Sequence, residues 1–392
     1  MASIEKRNRA GKTTYRVRYR DPAGHQRSKV FARRLDAERW MVANETAKLQ
    51  GAWVDPRGGR TRFADLAERW WASTAGLKPS TRDQYRKLLD HHVLPAFASA
   101  SVGALDRLAV SEWLARLLSD GTSAVRARDA YRVLRLVLAA GVDGGMLAVN
   151  PAAGVRLPRV GPVEMLVLNP AEVERLAWSI RPPYGVLVNT AAYSGMRAGE
   201  LAALRVGRLD LLAGRAEVVA SITEVAGRLV AGTTKTYQRR TVRLPRFLCE
   251  QLGAYLADRP HGPDDLVFTM AAGGPLRQSI VSTRLFKPAV RAAGLDPRLR
   301  FHDLRHTCAS LLIRQGASVK AVQAQLGHAS ASVTLDRYGH LFPDELEHLA
   351  DRLEHARSDA ISGGLWPQRG PEVVALPTTA PVSSANAAGT RQ

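Results

Sequence analysis

Cysteine is nearly absent from this 392-residue chain: only Cys249 and Cys308 occur, far apart in sequence. That excludes a disulfide framework and a Cys-based zinc site. No apolar run approaches the roughly 18 residues that a membrane span needs, although 45% of the residues are hydrophobic, an ordinary share for a globular protein. The opening residues, MASIEKRNRAGK, carry charge with no apolar stretch behind it. No secretory signal is read there, and a cytoplasmic protein without a membrane partner is expected. A nucleotide-binding phosphate loop is also lacking. Ala10-Gly11-Lys12-Thr13 echoes the end of one, but Lys6 stands where its first glycine belongs and the segment precedes a strand. Acidic residues are in deficit too, 36 Asp and Glu against 56 Lys and Arg, a net charge of +20. Such an excess favours a polyanionic partner. The dominance of Arg over Lys suits bidentate phosphate contacts, and a G+C-rich coding sequence would produce the same bias.

The length suffices for two or three domains. Tyr15 to Arg20 read YRVRYR, the alternation of a half-exposed strand. Asp21-Pro22-Ala23-Gly24 supplies a turn, Ser28 to Phe31 can pair back, and Leu35 to Gln50 has helical spacing. Residues 1–55 thus predict a small module with Arg16, Arg18 and Arg20 on one strand face, suited to DNA; a structural hairpin with a solvated charged face is the alternative. Gly58-Gly59 marks a linker. Residues 60–150 predict a four-helix domain, with Ser80 (followed by Asp83) and Ser111 as candidate N-caps. Its polar faces carry Arg82, Arg86, Lys87, Arg126, Arg128 and Arg132, a basic surface for a DNA groove. A Pro- and Gly-rich linker follows Asn150.

A third domain, residues 165–357, opens with Asn169-Pro170-Ala171-Glu172, which places a cap, a first-turn proline and an acid at a helix start. One apolar helix is predicted from there to Tyr193. A strand-rich middle (AEVVASI and RRTVRLP) and helices from about Phe247 to Arg357 follow. Residues 358–392 are Pro-, Ala-, Ser- and Thr-rich and read as a disordered tail. The fold class expected is mainly α with a small antiparallel β component.

Three segments of this domain carry chemistry: SGMRAGEL with Arg197, HDLRHT with His302, Arg305 and His306, and LGHASASVTLDRY with His328 and Tyr338. Lys235 sits in a turn between strands. Phosphodiester cleavage without a metal needs a nucleophile, charge stabilisation on the non-bridging oxygens and a proton for the leaving oxygen. Two guanidiniums can clamp those oxygens while staying charged at any working pH. A single preorganised donor of this kind is worth roughly 3–4 kcal/mol. A Tyr hydroxyl, with an ordinary pKa of about 10, needs neighbouring positive charge or a base to attack. Histidines can donate to phosphate or move protons, and a lysine with a lowered pKa can serve as the acid. The two histidines of HDLRH have zinc-protease spacing, but Asp303 replaces the required Glu and Arg305 would repel a cation, so no metal is expected. His306 reads as a structural residue.

These three segments resemble the motif boxes of the tyrosine recombinase (phage integrase) family. The resemblance implies a metal- and ATP-independent strand transferase with no cofactor, working through a 3′-phosphotyrosyl intermediate. It implies Arg197 and Arg305 as the catalytic arginines, His302 and His328 as the catalytic histidines, and Tyr338 as the nucleophile. Lys235 matches the family's β-hairpin lysine, in a more variable context, and Glu200 falls where an acid often supports the first arginine. It further implies that residues 1–55 are an arm-type DNA-binding module and residues 60–150 a core-site-binding domain. Double-stranded DNA, a homotetramer on that DNA, and accessory DNA-bending or directionality proteins are the implied partners. A type IB-like topoisomerase shares the catalytic set, but needs no second DNA site such as the N-terminal module offers. A catalytically inactive DNA-binding regulator is the other alternative, against which the complete residue set argues. Finally, Leu346, Leu349 and Leu353 line one face of a last helix, which could pack on its own domain or in a neighbour's groove.

Overall fold

The alternating YRVRYR segment forms the centre of a three-stranded antiparallel meander, β1 (Ser3–Arg9), β2 (Lys12–Arg20) and β3 (Gln26–Phe31). The computed structural model describes residues 2–9, 12–21, 24–49, 58–161, 164–233, 239–342 and 346–362. Strand β1 has no counterpart in the sequence reading. SIEKRNR has no apolar face, yet it pairs along its length with β2, because ladder hydrogen bonds are made by the backbone. Val17 and Tyr19 are buried on one face of β2. Helix α1 (Arg34–Leu49) lays Trp40 against Tyr19 and Phe31, with ring centroids 5.0 and 5.7 Å apart. Arg16, Arg18 and Arg20 take the opposite face by strand alternation. There Arg16 donates to Ser28 Oγ at 2.9 Å and Arg18 pairs with Glu5 at 3.1 Å.

A helical stretch follows: α2 (Phe63–Ser73), α3 (Pro79–Leu88), a π-turn (Leu89–Val93) running into α4 (Leu94–Phe97), α5 (Arg107–Ser119) and α6 (Ala124–Asp143). Helix α6 buries Ala127, Ala130, Tyr131, Leu134, Val137, Leu138 and Gly141, the spacing of one helix face. They join Phe63, Leu66, Phe97 and Trp113 in one core. Neither candidate cap holds. Helix α3 starts at Pro79, with Lys78 in the cap position two residues before Ser80. Helix α5 is capped by Asp106, whose carboxylate accepts from Ala109 N at 2.7 Å, while Ser111 lies inside the helix and donates to the Arg107 carbonyl. The proline and the aspartate out-compete the serines because the one has no N–H to lose and the other accepts as an anion. The basic face is partly neutralised: Arg86 pairs with Glu68 and Asp90, and Lys87 with Asp83. Arg82 lies over the Trp71 ring at 4.3 Å. Arg126 and Arg128 are exposed on α6.

Asn169 caps α7 (Pro170–Ser179) in a full capping box with Glu172, as its sequence predicts. The single helix expected up to Tyr193 is instead two. Pro182 and Pro183 deny it backbone donors, and a new helix, α8 (Gly185–Ser194), begins after them. Next come α9 (Ala198–Ala202), β4 (Leu209–Asp210), β5 (Arg215–Val218), β6 (Ala220–Val225), β7 (Arg228–Thr233) and β8 (Arg240–Arg243). β4, β5 and β8 form one antiparallel sheet and β6–β7 a separate hairpin. Its two-residue turn has positive φ at both Ala226 and Gly227, which matches strand twist. The remainder is helical: α10 (Arg246–Ala257), α11 (Gln278–Ile280), a π-turn (Val281–Phe286), α12 (Lys287–Ala292), α13 (Asp303–Arg314), α14 (Val319–Leu326), α15 (Ala331–Tyr338) and α16 (Leu346–Ser362). Leu187, Val188, Val242, Leu248, Leu252, Phe268 and Leu304 share its core.

The chain divides into two units, residues 1–334 and 335–392. The second contains α16, which continues five residues past the expected end at Arg357. Leu353 is exposed on it, and the side chains of Leu346 and Leu349 lie outside the described residues. Among the described residues no helix is long and apolar enough to cross a membrane.

The two caps give a paired expectation. Asp106→Ala should cost about 1 kcal/mol of stability, and Ser111→Ala less than about 0.5 kcal/mol. Equal losses in urea unfolding would show that the Asp106 cap does not anchor α5.

Candidate active site

Helix α8 ends at Gly195, which has a φ of +67°. A Cβ there would meet Leu326 at 2.5 Å and Cys308 Sγ at 3.1 Å, so only glycine lets the chain turn this tightly. The turn delivers Arg197 to the start of α9. Its backbone N–H donates to Glu200 Oε2 and its Nη1 to Glu200 Oε1, both at 2.8 Å. From α13, buried Arg305 donates through Nη1 to the Gly195 carbonyl (2.6 Å) and through Nη2 to the Leu326 carbonyl (2.7 Å). Helix α14 ends in a second left-handed glycine, Gly327, whose carbonyl accepts from Arg197 Nη2 at 3.3 Å. Both arginines therefore hold consecutive carbonyls of one turn. The next residue is His328, whose Nδ1 shares a hydrogen bond of 2.8 Å with the buried Thr334 hydroxyl.

Glu200 is 2% exposed and carries this arrangement electrostatically. Arg240, at the start of β8, grips the same carboxylate bidentately, at 2.9 Å and 2.7 Å. Burial pushes the carboxyl up, but the hydrogen bonds and charge of Arg240, with those of Arg197, override it and hold the group at about 2. Arg240 also reaches the Gln325 carbonyl at 3.4 Å. Gln325 in turn ties β8 to α14, its amide donating to the Arg243 and Ser194 carbonyls and accepting from Arg243 N.

His302 precedes α13 and is exposed. It shares with Arg197 a cleft of about 380 Å³, also bordered by Lys78, just before α3, Ser80 of α3, and Ser221 and Thr223 of β6. His306 is buried behind it, edge-on, with ring centroids 5.2 Å apart. The Asp303 carboxylate turns away and accepts from Arg300. Cys308 is no alternative nucleophile, because burial pushes its thiol up to about 12 despite the charge of Arg305. The cleft can thus present the Arg197 guanidinium and an exposed imidazole to an anion, with the Arg305 guanidinium buried and fixed beside the same turn.

Of the residues singled out in the sequence, Arg197, Glu200, His302, Arg305 and His328 are drawn to this centre by the two glycine turns and the cleft. Lys235 lies outside the described residues. Tyr338 is the last residue of α15, belongs to the second unit and is 1% exposed. Arg16, Arg18 and Arg20 lie on the N-terminal sheet, and Arg82, Arg86, Lys87, Arg126 and Arg128 on α3 and α6. The residues missed are Arg240 and Gln325. In RRTVRLP, Arg240 looks like one more surface cation; only strand alternation, placing it on the same side as buried Val242, hinted at an inward role.

Residues 167–345 match the family model for the phage integrase family, and residues 62–118 that for the phage integrase N-terminal SAM-like domain. A putative prophage phiRv2 integrase of Mycobacterium tuberculosis is 31% identical over 323 residues, 80% of this chain and 84% of that protein. A tyrosine recombinase XerC of Xylella fastidiosa is 30% identical, over 68% of this chain and 87% of that protein. Among solved structures, the Tn1549 transposon integrase aligns with a TM-score of 0.65 at 18% identity, over 75% of this chain and all of that one. A lambda integrase dimer aligns at 0.56 and 19% identity, over 85% of this chain and 93% of that one. The chain belongs to the phage integrase family and is a tyrosine-type site-specific DNA recombinase.

The buried carboxylate makes a pH-dependent expectation. A pKa held at about 2 instead of 4.5 corresponds to about 3 kcal/mol of stabilisation. Because the folded value is depressed, this term is complete above pH 4.5 and is lost as pH falls towards 2. Glu200→Gln should therefore be less stable than wild type by about that amount at pH 7, and the gap should close in acid. A gap that stays constant with pH would mean that the charge of Glu200 is not what matters.

Proposed function

We propose that the protein cuts and rejoins DNA through a 3′-phosphotyrosyl intermediate, integrating or excising a mobile element. The observation that carries this reading is the shared turn: Arg197 and Arg305 hold the Leu326 and Gly327 carbonyls directly before His328. Guanidiniums anchored from behind lose little freedom on meeting a phosphate, which is how preorganised charge lowers a barrier. In this reading the Tyr338 hydroxyl releases its proton to water as it attacks phosphorus, and the bond to the 5′-oxygen breaks. Arg197 and Arg305 neutralise the non-bridging oxygens, with His302 donating from the cleft and His328 assisting. Lys235 protonates the leaving oxygen. The 5′-hydroxyl of a partner strand then attacks the phosphotyrosine, and Tyr338 regains its proton. Phosphodiester energy is conserved, so these residues suffice without ATP or a divalent ion.

Residues 60–150 and 165–357 would then grip a core-type site, mostly through phosphate, and residues 1–55 an arm-type site. Lambda integrase, similar in fold, is known as a tetramer bound to a Holliday junction. The same assembly on DNA, with accessory bending or directionality proteins, suits two duplexes exchanging strands.

Incubating a nicked suicide duplex with wild-type protein in EDTA should trap a covalent adduct at the 3′ side, and Tyr338→Phe should give none. An adduct from both proteins would move the nucleophile elsewhere. Replacing Arg16, Arg18 and Arg20 together with Gln should weaken binding to arm DNA and flatten its salt dependence by up to about 3 in slope, while core-site cleavage continues. Unchanged arm binding would make the N-terminal sheet a structural element.

A further inference from the structure

Arg240 stands outside the cleft, yet it makes the strongest contact that Glu200 has. Its side chain is 11% exposed, and both of its terminal nitrogens meet the two carboxylate oxygens. Its aliphatic stem is fixed as well: a Cβ on Gly327 would come within 2.6 Å of Arg240 Cδ, so the stem runs against the turn that both Arg197 and Arg305 hold. The Gln325 bridges lock the strand carrying Arg240 to the end of α14.

Two consequences follow from charge and geometry. One buried carboxylate facing one arginine would form a neutral pair, and a neutral pair attracts a phosphate weakly. A second arginine leaves the trio with a net positive charge, so the charge of Arg197 is not cancelled. The bidentate grip also fixes the plane of the carboxylate, and with it the direction of the Arg197 fork.

We propose that Arg240 is a positioning residue for DNA cleavage, orienting Glu200 and balancing its charge so that Arg197 presents an uncancelled guanidinium to the scissile phosphate. This rests on the reading of Arg197 as a clamp on the non-bridging oxygens. Arg240 itself touches no reacting atom.

The test uses full-length protein and a nicked core-site duplex with either a normal phosphate or a neutral methylphosphonate at the scissile position. The methylphosphonate removes the negative charge that Arg197 would neutralise. Single-turnover cleavage and DNA affinity are measured for wild type, Arg240→Met, Arg240→Lys and Arg197→Met. On phosphate, Arg240→Met should cleave about 100-fold more slowly, with affinity changed less than about twofold. Arg240→Lys, which keeps the charge but loses the fork, should lose about tenfold. On methylphosphonate each penalty, taken relative to wild type on that substrate, should shrink to a few fold. A merely structural role would slow both substrates alike, and that result would overturn the proposal. If Arg240→Met does not fold, the same comparison with Arg240→Lys decides. Arg197→Met separates the two levels. Equal losses on both substrates for Arg197→Met would sink the clamp reading itself. Relief for Arg197→Met without relief for the Arg240 variants would sink only the role of Arg240.

Discussion

A buried carboxylate shared by two arginines is the interaction on which the rest of this centre depends. Glu200 is almost wholly out of water, where an unpaired negative charge is untenable. Its partners come from two places distant in sequence, the α8–α9 turn and strand β8. Satisfying one group therefore fixes the relative position of a helix pair and a sheet. Left-handed glycines complete the work, since Gly195 and Gly327 let the Leu326 and Cys308 side chains and the Arg240 stem approach where any Cβ would intrude. Buried ion pairs contribute little net stability compared with apolar packing, but they tolerate few alternative arrangements. The turn carrying His328 is thereby held in one geometry.

Much of this was legible in the residues. YRVRYR announced its strand by alternation, and Asn169-Pro170-Ala171-Glu172 announced the start of α7 by cap chemistry that is entirely local. The motif boxes singled out Arg197, Arg305, His302 and His328, which the fold gathers around one turn and one cleft. What stayed hidden depends on partners far along the chain. Strand β1 is polar and exists through pairing with β2. Ser111 has the side chain of a cap but loses to Asp106, which lies one turn earlier. The role of Arg240 requires knowing that β8 passes behind Glu200, some 40 residues away. The proline break between α7 and α8 was local, and the apolar continuity on either side masked it.

The helical domain illustrates a different limit of reading charge from sequence. Counting cations suggested a predominantly basic face, yet Arg86 and Lys87 are paired with Glu68, Asp90 and Asp83. Exposed pairs of this kind are worth little to stability, and phosphates can compete for them. Arg126 and Arg128 enter no such pair among the described residues. The face is therefore one of mixed commitment, with part of its charge already paired within the domain.

The N-terminal sheet ends in β1 on one side and β3 on the other, and both edges are rich in cations, with Lys6 and Arg7 on one and Arg27 and Lys29 on the other. Open strand edges invite the strands of another molecule, and positive charge along them discourages that pairing by repulsion. Replacing these side chains with neutral ones would unguard the sheet against aggregation.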